Sequence, residues 1–582
     1  MTKANKALLM GNEALARGAW EAGCTVSTAY PGTPATEINE FMSGYKDINT
    51  EWSANEKVAL EVGIGSSLAG ARTLVSMKHV GLNVAADPLF SVVYAGVNAG
   101  LVIITADEPG LHSSQNEQDN RLYAKFAEVP MFEPSDAQEA HDMVKRAFEV
   151  SEEFDTPVFV RMTTRICHTK SVVELGERKE VPVREYKKDS KKNAMIPAYA
   201  YQRHFVLEER NDRLDEMVES APENRIEMSD KRWGVITSGI SYQNVREAMP
   251  ECSILKIGIT YPLPEKLIRE FAGKVDELYV IEENRPFIEE AVRAMGIEVE
   301  GKEKILGVGE LSATILKKRI RNQESPQKAP AENIPARPPQ FCPGCGHRGI
   351  YHILRKLKCV VNGDIGCYTL GVLPPFNSID SCICMGASVT MNHGFTKVEK
   401  IGETERPAVA VIGDSTFFHS GLTGLASSVF NKSTGTVLVL DNRITGMTGH
   451  QPNPATGTNL GGIECPRLDI AEISRAMGVP NVREIDAFNL KQCEEVIKEE
   501  INKPELSVIV VSERCIMIEK TRYAAPYEVT EDCRNCKVCL KAGCPAITIE
   551  DGKVKILEFM CDGCGVCAQI CPFDAIKQKE EK

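Results

Sequence analysis

Eight cysteines stand near the C-terminus in two spaced sets. The first reads Cys533-x2-Cys536-x2-Cys539-x4-Cys544-Pro545 and the second Cys561-x2-Cys564-x2-Cys567-x3-Cys571-Pro572. Three thiolates at two-residue gaps can wrap one cubane from a tight loop, and the fourth ligand must arrive from elsewhere. In two-cluster proteins the cysteine before proline ligates the other cluster. The expected quartets are therefore Cys533, Cys536, Cys539 and Cys571 for one [4Fe–4S] cluster, and Cys561, Cys564, Cys567 and Cys544 for the other. The competing readings are a zinc ribbon and disulfide bonds. Zinc knuckles use paired cysteines, often with histidine, and not three evenly spaced thiols followed by Cys-Pro. Cys-Pro-Ala-Ile547 and Cys-Pro-Phe-Asp-Ala-Ile576 are equivalent segments, which marks a duplication. A module of this kind moves electrons one at a time.

A second constellation lies upstream. Ala408-Val-Ala-Val-Ile412 reads as a strand ending in Gly413-Asp414-Ser415, and Thr436-Val-Leu-Val-Leu440 as one ending in Asp441-Asn442. One strand–helix–strand unit separates Asp414 from Asn442, so both would emerge at carboxyl ends of parallel strands, where open α/β sheets place ligands. A carboxylate and an amide oxygen are hard ligands suited to Mg²⁺, which completes its octahedron with phosphate oxygens and water. A capping Asp is the commoner origin of a lone Gly-Asp; the Asn on a second strand end favours the metal. The set resembles the thiamine diphosphate motif, Gly-Asp-Gly followed by Asn, with Ser415 in the third place. That resemblance adds the backbone carbonyl of Ile444 to the metal ligands and counts Gly413 and Ser415 among the cofactor contacts. It also requires a glutamate from a separate pyrimidine-binding domain, which bonds the pyrimidine N1′ and promotes its imino tautomer. Asn55-Glu56-Lys-Val-Ala-Leu-Glu61 before Gly63-Ile-Gly65 resembles that segment, so Glu56 is the candidate. Glu51 and Glu61 compete with it, and an acid at a helix N-terminus favoured by the macrodipole is the plainer alternative.

These residues need several domains to hold them. At 582 residues the chain is too long for one core, and three or four domains are expected. With 43% hydrophobic and 26% charged residues the composition is ordinary for globular proteins. A net charge of −13 argues against nucleic acid. Twenty cysteines, eight of them committed to clusters, suit a reducing cytoplasm better than a secreted disulfide scaffold. Leu8-Leu9-Met10 is too short for a signal peptide, and Val92 to Thr105 too short for a membrane span.

Within residues 1–175, Thr73-Leu-Val-Ser76, Leu101-Val-Ile-Ile104 and Val158-Phe-Val160 read as buried parallel strands between Gly-rich helices. A charge-dense stretch of weak periodicity, about 174–232, opens residues 176–325. Gly234-Val-Ile-Thr237, Ile254-Leu-Lys-Ile257 and Leu278-Tyr-Val-Ile281 then mark a second, smaller α/β unit. Residues 326–340 read as a Pro-rich linker, 341–525 as the diphosphate and metal-binding domain, and 526–582 as the ferredoxin-type α+β domain. The expected fold class is thus α/β and multidomain, with doubly wound parallel sheets and a 2[4Fe–4S] tail.

Four stretches make the resemblance specific: Tyr30-Pro-Gly-Thr-Pro-Ala-Thr-Glu37, Asp107-Glu-Pro-Gly-Leu-His-Ser-Ser-Gln-Asn-Glu-Gln-Asp-Asn-Arg121, Cys342-Pro-Gly-Cys-Gly-His347 and Asp441-Asn-Arg-Ile-Thr-Gly-Met-Thr-Gly-His450. With the parts above, the chain resembles the 2-oxoacid:ferredoxin oxidoreductases, and within them the large-subunit type that acts on indolepyruvate. The likeness runs over essentially the whole chain. It implies a pyrimidine domain at 1–175, a transketolase-C-like domain within 176–325, and CoA-dependent oxidative decarboxylation of arylpyruvates with ferredoxin as acceptor. It also implies a smaller beta subunit and a dimer of alpha–beta heterodimers. Thr33 matches a substrate-side position and His112 lies in the second signature loop; as plain turn residues they would do no chemistry. Cys342, Cys345, Cys367 and Cys515 fall at positions like those of a third cluster beside thiamine diphosphate in other members. The alternative is that Cys342 and Cys345 only shape the pocket and Cys515 is a small buried residue. Two further readings stay open: the same reaction on pyruvate or a branched-chain 2-oxoacid, and a non-catalytic electron-transfer subunit.

Overall fold

The computed structural model describes residues 5–305, 307–323, 334, 338–398, 407–518 and 522–579. The chain divides into two compact units, residues 1–330 and 331–582. Apart from residues 334 and 338–340, the expected linker at 326–340 lies outside the described residues.

The first unit is built on a seven-stranded sheet. Six of its strands, Asn49–Trp52 at one edge, then Val26–Ala29, Thr73–Lys78, Leu101–Asp107, Val158–Thr163 and Met131–Phe132, run parallel in that order. Every residue of Thr73–Lys78, Leu101–Asp107 and Val158–Thr163 is buried, as strands covered on both faces must be. Successive side chains alternate between the faces. Leu74, Val102 and Ile104 pack with Leu15, Ala19 and Phe148 on one side, while Val75, Leu101 and Ile103 pack with Leu60, Leu89 and Val92 on the other. A second, four-stranded sheet aligns Glu277–Ile281, Asp230–Ser238 and Cys252–Ile257 in parallel, with Arg225–Glu227 antiparallel at its edge. Two residues past Cys252–Ile257, the short strand Ile259–Tyr261 crosses to the first sheet and pairs antiparallel with Met131–Phe132.

The charge-dense stretch is not irregular throughout. It contains the 22-residue helix Pro197–Val218, which buries only Leu207, Arg210, Leu214 and Val218. That spacing keeps one narrow stripe inward, and an arginine inside the stripe masks its periodicity in the sequence.

In the second unit, five parallel strands align in the order Val360–Asn362, Ala408–Gly413, Thr436–Asp441, Ser507–Ser512 and Asn481–Asp486. Their Val- and Ile-rich runs pack between two apolar clusters. Two antiparallel ribbons follow, Tyr527–Val529 with Ile576–Gln578 and Ile547–Glu550 with Lys553–Ile556. Among the described residues no helix is long and apolar enough to cross a membrane.

Candidate active site and electron path

Gly413 closes its strand with no side chain because the Tyr368 ring occupies the space; a Cβ there would stand 2.6 Å from Tyr368 Cε1. The next residue, Asp414, is buried at the carboxyl end of that strand, and Asn442 follows the end of the neighbouring parallel strand. One short bond braces the second loop from within and another ties it to the first. The Ile444 N–H donates to Asn442 Oδ1 at 3.2 Å, and Thr445 Oγ1 donates to Ser415 Oγ at 2.9 Å. Asn453 Nδ2 donates to Asp414 Oδ2 at 3.1 Å, a partner that no motif in the sequence announces. Burial, and then the neighbouring Asp441 carboxylate, push Asp414 up to about 7. A carboxyl held this far above its ordinary range, beside an amide oxygen at a second strand end, is a donor set that a hard divalent cation would satisfy. On the other side of the loops, the Cys515 N–H donates to the Asn442 carbonyl at 3.1 Å.

In the first unit, the helix Glu56–Leu68 starts at Asn55, whose Oδ1 accepts the Val58 N–H at 2.9 Å. Of the three candidate glutamates only Glu56 is buried. Glu61 instead pairs with Lys57 at the surface, and Glu51 accepts from Ser53 at 2.8 Å. The Glu56 carboxylate lies against Gly81, where a Cβ would come within 2.7 Å of Oε1. Thr33, half-buried, sits in the turn next to Gly32, and that turn packs on the buried Lys78. Lys78 Nζ donates to the Ser113 carbonyl at 2.9 Å and stands 3.5 Å from Glu108, and its charge also reaches Glu56. Burial pulls Lys78 below its usual value, opposed by Glu108. The fold thus brings Glu56, the Thr33 turn and the 108–114 loop around a lysine that the sequence reading passed over. His112 does not join them: its ring is 46% exposed and faces Glu310 at 3.2 Å.

Much of the Asp107–Arg121 signature is a buried ionic cluster. Arg121 donates to Asp119 at 2.8 and 2.6 Å and to Glu282 at 2.5 Å. Arg161 donates to Asp107 at 2.7 Å, Glu133 at 2.5 Å and Asn284 at 3.0 Å. Buried charges persist only when paired in this way, and these pairs join the first sheet to residues that follow the second.

The eight C-terminal cysteines line two cavities. One is bordered by Cys544, Cys561, Cys564 and Cys567 together with Arg348; the other by Cys533, Cys536, Cys539 and Cys571. Backbone N–H groups reach the sulfurs: Tyr527 to Cys561, Asn535 to Cys533 and Ala575 to Cys571, each at 3.4 Å. Cradles of four thiols with amide donors suit an iron–sulfur cubane. Among the described residues, no three His, Cys, Asp or Glu side chains close on one point as around a single ion; a cubane spreads its ligands wider. The thiols of Cys367, Cys515 and Cys342 lie within electrostatic reach of one another, and Cys345 within reach of Cys342.

Three stretches match known families: residues 17–230 "Pyruvate flavodoxin/ferredoxin oxidoreductase, thiamine diP-bdg", residues 364–511 "Thiamine pyrophosphate enzyme, C-terminal TPP binding domain", and residues 525–572 "4Fe-4S dicluster domain". The indolepyruvate oxidoreductase subunit IorA of Archaeoglobus fulgidus is 40% identical over 98% of this chain and 97% of its own length. The chain belongs to the indolepyruvate oxidoreductase subunit IorA family. Members from Pyrococcus abyssi and Methanothermobacter thermautotrophicus are 39% and 38% identical over 99% and 98% of this chain. A solved 2-oxoglutarate:ferredoxin oxidoreductase from Magnetococcus marinus is 15% identical, with a TM-score of 0.46 over 55% of this chain and 66% of its own. As a member of the IorA family the chain is an oxidoreductase that binds thiamine diphosphate and [4Fe–4S] iron–sulfur clusters, and it serves oxidative decarboxylation of a 2-oxoacid with iron–sulfur electron transfer.

Proposed function

We propose that this chain is the large subunit of an indolepyruvate:ferredoxin oxidoreductase. It would convert indole-3-pyruvate and other arylpyruvates with CoA to arylacetyl-CoA and CO₂, passing electrons to ferredoxin. The observation that carries this reading is 38–40% identity, over nearly full length on both sides, to relatives named for indolepyruvate. A smaller beta subunit completes the enzyme, as a dimer of alpha–beta heterodimers in the cytoplasm.

Bound thiamine diphosphate supplies the electron sink for loss of CO₂, and clusters accept the electrons singly. The residues around these groups have separable tasks. Asp414, Asn442 and the Ile444 carbonyl would hold Mg²⁺ for the diphosphate, with Gly413 and Ser415 shaping the strand end. Glu56 holds the pyrimidine nitrogen, and its burial keeps water from competing for that bond. Thr33 is the substrate-side candidate that keeps company with Glu56 and Lys78; His112, exposed and paired with Glu310, is the weaker of the two. Cys533, Cys536, Cys539 and Cys571 hold one cluster, and Cys561, Cys564, Cys567 and Cys544 the other. Cys342, Cys345, Cys367 and Cys515 would hold a third, a reading supported by the mutual electrostatic reach of the Cys342, Cys367 and Cys515 thiols and that of Cys345 toward Cys342.

The test is anaerobic co-expression with the small subunit, followed by 2-oxoacid- and CoA-dependent reduction of ferredoxin or viologen. Arylpyruvates should give the highest kcat/KM; a clear preference for pyruvate or a branched-chain 2-oxoacid would defeat the aryl assignment. Failure of the complex to bind thiamine diphosphate and Mg²⁺ would identify a non-catalytic electron-transfer subunit. A spin count of the dithionite-reduced chain separates two clusters from three.

A further inference from the structure

Arg348 is a buried cation whose surroundings supply sulfur in place of carboxylate. It stands in the first turn of the helix His347–Lys356 and is 1% exposed. Nε and Nη2 donate to the Cys342 carbonyl at 3.0 and 2.8 Å, and Nη2 donates also to the carbonyl of Phe341. Nη1 turns the other way, to the carbonyls of Gly543 and, at 3.4 Å, Ala542, the two residues before Cys544. Each of these acceptors is a neutral carbonyl, and among the described residues no carboxylate lies within ion-pair distance. Glu513, half-buried nearby, feels the Arg348 charge only from beyond ion-pair distance, and its carboxylate is engaged by the Gly346 N–H and, at 3.5 Å, by the Tyr523 hydroxyl. Burying a guanidinium without a balancing charge is costly. The thiols of Cys544, Cys345, Cys564 and Cys342 are the groups whose electrostatic influence on it is greatest. It also lines the cavity of Cys544, Cys561, Cys564 and Cys567, and it is absent from the lining of the other four-cysteine cavity.

We propose that Arg348 is the counter-charge of the cluster held by Cys544, Cys561, Cys564 and Cys567, and that it raises that cluster's reduction potential above the value the thiolates alone would set. The inference rests on the reading that these four cysteines hold a [4Fe–4S] cluster. The step concerned is the gain of one electron, taking one iron equivalent from ferric to ferrous; no bond forms or breaks and no proton moves. In turnover the 2-oxoacid supplies the electron, and in the test dithionite does. Reduction adds a negative charge beside a fixed positive one, which favours the reduced state, and net charge near the cluster is a recognised lever on its potential. Because Arg348 bonds the Cys342 loop on one side and the loop before Cys544 on the other, it lies between the two sets of thiols that an electron would link.

The experiment is an anaerobic redox titration of the full chain followed by EPR, with Arg348→Lys, Arg348→Gln and Arg348→Met. Cys564→Ser identifies which midpoint belongs to this cavity. The neutral variants should lower the equilibrium constant for reducing this cluster about tenfold, about 59 mV for one electron. Lys should hold it within about threefold, and the midpoint of the Cys533-containing cluster should stay fixed. Unchanged midpoints in the neutral variants would overturn the proposal. So would a Lys variant that shifts as far as Met, or a common shift of both clusters. Should the neutral variants assemble no cluster, Lys decides alone: an assembled cluster within threefold supports the proposal, and loss or a tenfold fall overturns it. Iron and sulfide content of Cys564→Ser distinguishes this failure from failure of the underlying assignment, for if these four cysteines hold no cluster that variant keeps its full complement.

Discussion

At Asp414 the fold holds a carboxyl near 7 against an ordinary value of 3.8, through burial first and the Asp441 charge second. A raised carboxyl is favoured by folding in its protonated form. Without a cation, its contribution to stability is therefore full below the unfolded value and is lost as pH rises through about 7. A divalent cation needs the ionised form, so its binding has the opposite slope. Calorimetric titration with Mg²⁺ and thiamine diphosphate should show affinity rising up to about tenfold between pH 6 and pH 8, and Asp414→Asn should bind far more weakly with the slope flattened. Glu56→Gln should keep cofactor binding but lower kcat by about a hundredfold or more, measured as viologen reduction; an activity near wild type would return the role to Glu51 or Glu61. Glu56 was legible as a candidate because a helix start with small residues behind it is a local pattern. Lys78 and Asn453 were not, since their roles depend on loops distant in sequence.

Among the elements, the buried strands were the most legible, because a parallel strand covered on both faces must be continuously apolar and β-branched. Leu101–Ile104 and Val158–Val160 read as strands for that reason, and the structure extends them to Asp107 and Thr163. The helix Pro197–Val218 was not legible: four buried positions on 22 residues, one an arginine, leave almost no apolar period. Arg210 is tolerated inside because its guanidinium donates to the carbonyls of Asp155 and Val93, each at 2.9 Å. Leu214 is 1% exposed in the same stripe. Leu214→Ala should cost about 2–5 kcal/mol, read as a lowered denaturation midpoint of the first unit, whereas an equivalent change at an exposed position of the helix should cost far less.

On the scale of the molecule, the sheet-built parts and the C-terminal ribbons have different sources of stability. The first unit carries two sheets with large apolar clusters and paired buried charges. The C-terminal ribbons have strands of only three or four residues, and their few buried apolar side chains add to the edge of the cluster around the five-stranded sheet instead of forming a core of their own. Cluster ligation is therefore expected to supply much of their folding free energy, as metal binding does in other small metallo-domains. Stripping iron with a chelator should make residues 522–579 sensitive to proteolysis and fast hydrogen exchange, while the first unit keeps its protection; equal protection before and after would refute that division.

What the sequence determined by itself was the chemistry that repeats or spaces locally: eight cysteines in two sets, a Gly-Asp and an Asn at successive strand ends, a Glu at a helix start. Such patterns survive in one dimension because a loop around a cubane or a strand–helix–strand unit sets their spacing. The tertiary structure alone decided what those residues face. It shows the Arg161–Asp107 and Arg121–Glu282 cluster inside a signature that reads as a site, the convergence on Lys78, and the carbonyl-bonded guanidinium of Arg348 between two sets of thiols. Charge pairing across a fold follows distance in space, and no periodicity in the sequence records it.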